Sequence, residues 1–533
     1  MPPALTYPGV YVEELSSGVH TITGVATSIA AFVGYAAQGP TNKAVLVSSS
    51  TEFANIYGGL SNNLGIPNYL GYAVNQFFAN GGSQAYIVRV VWDGTITTAV
   101  TPAPAVCATA QATVGGSLAL FASSPGQWAN GTSTSGIYVA VILQPSPATG
   151  FTIQVLDSSA NVLENFVNLS VDPTNPEYVV TAINNDSNYI TFIDPAHPSA
   201  VIATPTKPTA TAATGTALAG GADGEVLIPG GNGDFELAIG SNPTATNAFG
   251  VHLLDRVDIF NLLCVPGETD VPTIQNLQAY CAAKRAFYIV DCPQTATTAL
   301  LNSDGPFGSP VPTTGLTGSG SANSAYYYPW VLAPDPLMSN RPALFPPCGF
   351  VAGIYAATDA SRGVWKAPAG INASLTGVLG LQYNLTDGES GELNPQAVNC
   401  LRDFKTYGTV VWGSRTLQGN DNTGSQWKYI PIRRLALFLE SSLYDGTQWV
   451  VFEPNDETLW GQIRLNVGSF MQGLFLQGAF QGTSPQQAYF VKCDSENNPQ
   501  SSIDQGIVNI LVGFAPLFPA EFVVIQIQQM AGQ

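Results

Sequence analysis

A mixed α/β fold is the class the sequence predicts, and three observations predict it. Residues 257–292 read VDIFNLLCVPG, PTIQNLQAYCAAK and RAFYIVDCP, a strand, a helix and a second buried strand. That succession is a βαβ unit, which requires part of the sheet to be parallel. Residues 97–218 change composition to Ala, Thr, Ser, Val and Pro, and their alternating runs GIYVAVILQ and GFTIQVLD predict a small all-β module inserted into the mixed fold. Near the C-terminus, EPNDETLWGQIRLNVGSFMQGLFLQG predicts one long amphipathic helix.

In chain order, SIAAFVGYA and KAVLVS read as strands. STEFANIYG starts a helix capped by Ser50 or Thr51 and stopped by Gly58-Gly59. YLGYAVNQFFAN places Leu70, Tyr72, Ala73, Phe77 and Phe78 near helical spacing before Gly81-Gly82, and AYIVRVVW follows as a strand. In the insert, Lys207 is the one basic residue against Asp157, Glu164, Asp172, Glu177, Asp186 and Asp194. The helix of the βαβ unit carries Ile274, Leu277, Tyr280 and Cys281 as its apolar set. Residues 296–325 are rich in Thr, Gly and Ser and read as a long loop. The long C-terminal helix takes Asn455 or Asp456 as cap, with Glu457 in the first turn, where the helix dipole favours acids. Leu459, Ile463, Val467, Phe470, Met471 and Leu474 make its apolar face. Gly461 and Gly468 lie on the same helix, where each interior glycine costs about 1 kcal/mol against alanine. Either the fold tolerates them, or the face lets another backbone approach closely. Strand signals stand at both ends: Val10-Tyr11-Val12, closed by Glu13 and Glu14, and PAEFVVIQIQQM, where Ile525-Gln526-Ile527-Gln528 alternates.

Composition narrows the function classes. Of 533 residues, 45% are hydrophobic but only 10% are charged, well under the usual share of about a quarter. Two readings fit: a β-rich surface coated with Thr, Ser and Asn, or a surface covered by neighbouring copies. The net charge of −19, with Arg433-Arg434 and Lys284-Arg285 as the only adjacent basic pairs, argues against nucleic-acid binding. Seven scattered cysteines without a CxxC read as buried free thiols rather than a disulfide framework. The run at residues 22–37 has no basic residue before it and is too short and too broken by Thr, Ser and Gly to span a bilayer.

No chemistry assembles. His20, His197 and His252 sit in unrelated contexts, and no GxSxG elbow, HExxH or GxxxxGK[ST] occurs. The clusters Gly220-Gly221-Ala222-Asp223-Gly224-Glu225 and Gly230-Gly231-Asn232-Gly233-Asp234 are similar in composition to calcium-binding repeats, but two imperfect copies read better as turns at a domain junction. Asp359, Arg362 and Lys366 read as an ion pair at helical spacing or an inter-subunit contact. The chain is therefore expected to be no enzyme and to use no cofactor or metal.

Several long phrases, in a fixed order, resemble the contractile phage tail sheath family. They are YPGVYVEELSSG with GVATSIAAFVGYAAQGP, then DRVDIFNLLCVPG and YYYPWVLAPDP. GFVAGIYAATDASRGVWKAPAG, ELNPQAVNCLRDF, GTVVWGSRTL, IPIRRLALFLESSL, GTQWVVFEPNDETLW and PAEFVVIQIQ follow. The resemblance covers residues 7–95 and about 220–533, leaving the insert outside. It implies a structural subunit that polymerises as stacked six-fold rings around an inner tube and contracts to drive the tube through a target envelope. It implies other copies of the chain, an inner tube protein, and baseplate and terminal cap proteins as partners. Neither nucleic acid nor direct membrane insertion is implied. Assembly would take place in the bacterial cytoplasm, before the protein joins a virion tail or a released or membrane-anchored injection particle. Both halves of the family's pattern lie on one chain, unlike the split sheaths of type VI machines.

The resemblance also divides the chain. Residues 1–20 would be an N-terminal linking arm, 21–96 the first part of the core, and 97–218 an outer domain. Residues 219–365 would be the middle of the core, 366–519 a C-terminal domain with a tube-facing helix, and 520–533 a C-terminal arm. The arms would add strands to a neighbour's sheet through Val10, Tyr11, Val12, Glu13 and Glu14 at one end. At the other end the strand would use Phe522, Val523, Val524, Ile525 and Ile527. The tube-facing helix would present Glu457, Gly461, Arg464, Gly468 and Gln472. A β-rich adhesin or carbohydrate-binding surface protein is the alternative, suggested by the Thr/Asn-rich insert.

Overall fold

Ala30–Tyr35 (β1) is buried at all six positions, as a strand must be when helices cover both faces of a parallel sheet. Val45–Val47 (β2), the helices Ser50–Tyr57 (α1) and Tyr69–Ala79 (α2), and Ala85–Val90 (β3) follow. Ser49 caps α1 by accepting from the Glu52 N–H, and Gly58 closes it in the left-handed conformation. The computed structural model describes residues 20–63, 66–92, 94, 104–145, 150–195, 202–230, 233–242, 249–304, 319–422 and 424–526.

The inserted stretch contains Gln111–Val114 (β4), Leu118–Ala122 (β5), Tyr138–Leu143 (β6), Phe151–Leu156 (β7), Val162–Leu169 (β8), helix Val179–Asp186 (α3), Ile190–Thr191 (β9) and Thr216–Ala217 (β10). These strands form two antiparallel sheets, ordered β9-β5-β4 and β8-β7-β6-β10. The stretch has its own apolar core, which includes Leu120, Val139, Phe151, Ile153, Val155 and Ile183. It is not all-β as expected. In α3, Val179, Val180 and Ile183 turn inward, so burial overrides the weak helix propensity of β-branched residues.

The chain then returns to the main sheet. Leu262–Cys264 (β11), helix Val271–Lys284 (α4) and Phe287–Asp291 (β12) succeed one another, and β11 and β12 are parallel neighbours. Asp270 caps α4 by accepting from Thr273 N. The expected strand from Val257 is shorter: a 3-10 helix over Gly250–Arg256 precedes it, and the strand itself begins at Leu262. Within the stretch read as a loop, Thr298–Asp304 is helical and Ser319–Asn323 is a 3-10 turn; residues 305–318 lie outside those described. Ser324–Tyr328 (β13), helix Cys348–Arg362 (α5), Val398–Phe404 (β14) and Gly408–Val411 (β15) complete an eight-stranded sheet. Its order is β2-β3-β1-β11-β12-β13-β14-β15, parallel except at the two edge pairs. Helices α2 and α5 pack backbone to backbone: a side-chain carbon on Gly349 would lie 2.6 Å from Ala73 Cα, and one on Gly353 2.7 Å from the Phe77 carbonyl.

The last elements are helix Ile430–Gly446 (α6), helix Glu457–Leu476 (α7), and the hairpin Tyr489–Lys492 (β16) with Leu511–Phe514 (β17). The chain divides into two compact units. The larger is Thr27–Arg362 with Ala367–Arg433; the smaller takes the described part of Met1–Ala26, Gly363–Lys366 and Arg434–Gln533. The smaller unit's core packs Ile22, Leu435 and Leu439 against Leu459, Trp460, Ile463, Val467 and Met471.

Candidate functional site

In the larger unit, His252, Asp255 and Asp223 are spent on partners inside the fold. His252 shares its ring nitrogens between the Asn242 carbonyl, at 2.9 Å, and Asp255, at 3.0 Å. Asp255 also takes Lys284, at 2.9 Å, and the Tyr280 hydroxyl, at 2.8 Å. These partners hold its carboxyl below the usual carboxylate range, although burial pushes the other way. Asp223, from the first Gly/Asp cluster, spends its Oδ1 on the Gln127 N–H at 2.6 Å. Among the described residues, no group of three His, Cys, Asp or Glu could hold a metal ion, and no helix is long and apolar enough to cross a membrane.

Open α/β sheets bind ligands beyond the strand ends where the chain order reverses, here between β1 and β11. That position holds a cavity of about 30 Å³, lined by Gly34, Tyr35, Tyr69, Leu70, Leu227 and Pro266. It is room for about one water. Helix α2, through Tyr69 and Leu70, and the chain around Leu227 line it.

The smaller unit presents surfaces instead. Helix α7 is capped by Asp456, whose side chain accepts from Leu459 N at 3.0 Å, and Glu457 occupies its first turn. Leu459, Trp460, Ile463, Val467, Met471 and Leu474 are buried, while Phe470 is only half-buried. One flank packs against the hairpin. Glu457 lies 2.6 Å from Arg464, and Arg464 donates to the Cys493 carbonyl. Gln472 Oε1 accepts from the Tyr489 hydroxyl at 2.9 Å, and the Gly468 carbonyl is 3.5 Å from the same hydroxyl. The structure thus brings Glu457, Arg464 and Gln472 together along the hairpin flank and uses them inside the chain. The outer row of α7 is Thr458, Leu465, Ser469 and Leu476, with Leu465 and Leu476 well exposed. Their spacing is legible as one helix face; their exposure follows from where the hairpin docks, which no local signal marks. Gly461 and Gly468 have almost empty surroundings: a side-chain carbon on Gly461 would meet only Arg464 Nη2 at 3.8 Å, and one on Gly468 nothing within 4 Å.

The hairpin pairs Tyr489 with Phe514 and Lys492 with Leu511. Its 18-residue connection is cross-braced by Asn497, Asn498 and Asn509: Asn509 N donates to Asn498 Oδ1 at 2.6 Å, and Asn497 Nδ2 to the Asn509 carbonyl at 2.7 Å. Among the described residues it forms a sheet of two strands only, and Phe490 and Leu511 face outward half-exposed. Beyond β17, residues 521–526 form no strand, and Phe522, Val523, Val524 and Ile525 are between 73% and 82% exposed. Val10, Tyr11, Val12, Glu13, Glu14 and Ile527 lie outside the described residues.

Comparison with known proteins places this arrangement. Residues 253–417 match the phage tail sheath protein central domain, and residues 422–530 match the phage tail sheath C-terminal domain, together more than half of the chain. The tail sheath protein of Vibrio phage KVP40 is 28% identical over 169 residues, 31% of this chain and 24% of that protein. A prophage major tail sheath protein of Pseudomonas aeruginosa is 26% identical over 280 residues, 50% of this chain and 66% of that protein. These matches therefore span less than two thirds of either relative. Among solved structures, the PVC sheath of an extracellular contractile injection system, in its contracted state, is similar over 98% of both chains, with a TM-score of 0.56 at 22% identity. A sheath tail protein from Listeria innocua aligns over 93% of this chain and 96% of its own, with a TM-score of 0.57 at 12% identity. At these identities the likeness establishes the fold. The two consecutive domain matches establish more: the chain belongs to the phage tail sheath family.

Proposed function

We propose that the protein is the repeating subunit of a contractile sheath. The observation that carries this reading is the succession of sheath central and C-terminal domains on one chain. Copies stack as six-fold rings around an inner tube, meet a baseplate at one end and a terminal cap at the other, and shorten to drive the tube through a target envelope. The inserted stretch, with its separate core, forms the outer domain. The terminal segments are arms that add strands to a neighbour's sheet. The exposed run Phe522–Ile525 and the two-stranded hairpin, whose outer edges can accept main-chain hydrogen bonds, support that role. Helix α7 faces the tube, and its outer row of Thr458, Leu465, Ser469 and Leu476 makes the contact in place of Arg464 and Gln472, which bond to the hairpin segment, and of Glu457, which pairs with Arg464.

The work of contraction is stored at assembly, so the subunit needs no nucleotide and performs no catalysis. Assembly takes place in the bacterial cytoplasm, and the finished sheath belongs to a virion tail or to a released or membrane-anchored injection particle. No observation favours the adhesin reading. Negative-stain microscopy of the purified protein tests the proposal: tubes or stacked six-fold rings support it, and a monodisperse monomer at high concentration refutes it.

A further inference from the structure

Residues 20–26 belong to no helix and no strand ladder, yet they are pinned along α6. Every second residue turns to the helix or its flank, as in an extended segment. His20 stacks on Trp449, just past α6, with ring centroids 4.2 Å apart. Ile22 is 6% exposed and sits in the smaller unit's core. Gly24 lies against the Phe438 ring: a side-chain carbon there would come within 2.8 Å of it. Thr21 and Thr23, between them, are exposed. Val25 N then donates to the buried Ser442 hydroxyl at 3.1 Å.

The seat is one stripe of α6. Phe438, Ser442 and Gly446 stand four residues apart, so they share a face of the helix. Gly446 makes room for Ile22: a side-chain carbon at 446 would lie 2.6 Å from Ile22 Cγ2 and 2.8 Å from its Cγ1. The backbone of Gly446 is not in the left-handed region, so the approach of Ile22 is what asks for glycine there. The segment runs against the helix direction, with residue 20 beside 449, residue 22 beside 446 and residue 24 beside 438.

This seat decides where the preceding residues start. Strand β1 lies in the larger unit, but the chain up to Ala26 belongs to the smaller one. The smaller unit also carries the exposed run Phe522–Ile525. Both arms are therefore rooted on one body. Strand addition needs a fixed root, because a slip of one residue turns every side chain to the other face. Tension on residues 1–19 meets the ring stack, the Ile22 anchor and the Ser442 bond before it meets β1.

We propose that His20–Val25 is a strap that anchors residues 1–19 on α6, that Gly446 is the residue that seats it, and that polymerisation depends on this anchorage. The inference rests on reading residues 1–20 as a linking arm. Gly446, Ile22 and Ser442 are positioning residues: they act through the arm, by fixing where it begins. Unseated, the arm hangs on a longer free tether, and the effective concentration of its strand at a neighbouring copy falls.

Full-length variants test it, by hydrogen-exchange mass spectrometry in dilute protein and by microscopy at high concentration. Gly446→Val puts bulk where Ile22 sits, and Ile22→Ala takes the same bulk away. Gly446→Val alone should speed exchange over residues 20–26 about tenfold or more and raise the concentration needed for tubes by a similar factor. Adding Ile22→Ala should restore both. Met471→Ala empties the same core from α7, and should lower the melting temperature while tubes form at the wild-type concentration. The inference fails alone if Gly446→Val leaves exchange unchanged, if it speeds exchange while tubes form normally, or if the double variant behaves as Gly446→Val does. It also fails if Met471→Ala loses tubes to the same extent, because assembly then follows stability. If the chain without residues 1–18 still forms tubes, the arm reading fails and the strap with it. If the wild type stays monomeric at high concentration, the sheath reading fails.

Discussion

Glu457 and Arg464 lie 2.6 Å apart on one flank of α7, and Arg464 also donates to the carbonyl of Cys493, just past strand β16. An exposed ion pair along a helix is worth little, but a guanidinium that also holds a hairpin carbonyl is a tie between two elements. Arg464→Ala is expected to lower the melting temperature by the equivalent of about 1 kcal/mol. It should also speed amide exchange through Tyr489–Phe514. Glu457→Gln should stay within about 0.5 kcal/mol of the wild type. Equal effects from both would show that Arg464 acts only through the pair.

Glu268 should make stability fall as pH rises. It is wholly buried, accepts from Asp270 N at 2.7 Å through Oε1, and has no partner for Oε2. Burial, with the negative charges of Glu236 and Asp270 adding to it, pushes its carboxyl up to about 8. Asp291, buried but held by the Gly267 and Cys348 amides, is pushed up to about 6. In both cases the native state keeps a proton that the unfolded chain has already released above its ordinary carboxylate value. The unfolded state therefore binds fewer protons, and these two groups lower stability as pH rises, Asp291 from about 4 to 6 and Glu268 from about 4.5 to 8. Glu268→Gln keeps the Asp270 bond and cannot ionise. Its urea midpoint should match the wild type near pH 5 and exceed it at pH 8 by the equivalent of about 1–3 kcal/mol. A gap that does not widen with pH would sink the assignment.

Arg89 should be among the costliest single residues to remove from the larger unit. Its buried guanidinium donates to the carbonyls of Ala36 and Gly39, both at 2.7 Å, Pro125 at 2.8 Å and Ala37 at 2.9 Å. It thereby stitches the loop after β1 to the inserted stretch. Arg89→Met would leave those carbonyls unpaired and cost about 3 kcal/mol or more. Arg89→Lys should rescue little, because one ammonium cannot span the fork's acceptors. Urea unfolding followed by tryptophan fluorescence measures both.

Removing residues 1–18 or 520–533 should abolish polymerisation and leave circular dichroism and the melting temperature of the remaining chain nearly unchanged. Phe522–Ile525 bury almost nothing within their own chain, so their loss takes little from its core. Truncated proteins that still form tubes under the microscope would refute the linking arms.

Much of the parallel sheet was legible because strands covered on both faces must be continuous apolar runs, and AAFVGY and FYIVD are such runs of strand length. Helix α7 was legible from Asp456, Glu457 and the recurrence of Leu459, Ile463 and Val467. Helix α3 was not, because Val179-Val180-Thr181 argues locally for strand and only burial decides otherwise. The roles of the polar residues on α7 were not legible either. Arg464 and Gln472 looked available until a hairpin contributed by residues 489–514 bonded to them. Periodicity tells which residues share a face, and it says nothing about which distant segment covers it.

All seven cysteines are interior free thiols, and burial pushes those of Cys281, Cys292 and Cys348 far above their ordinary range. A thiol that neither ionises nor meets solvent does not exchange with disulfides or climb the oxidation ladder. While the fold is intact, its seven sulfurs are held away from disulfides and oxidants alike, so a change from reducing to oxidising surroundings meets no cysteine at the surface of the subunit.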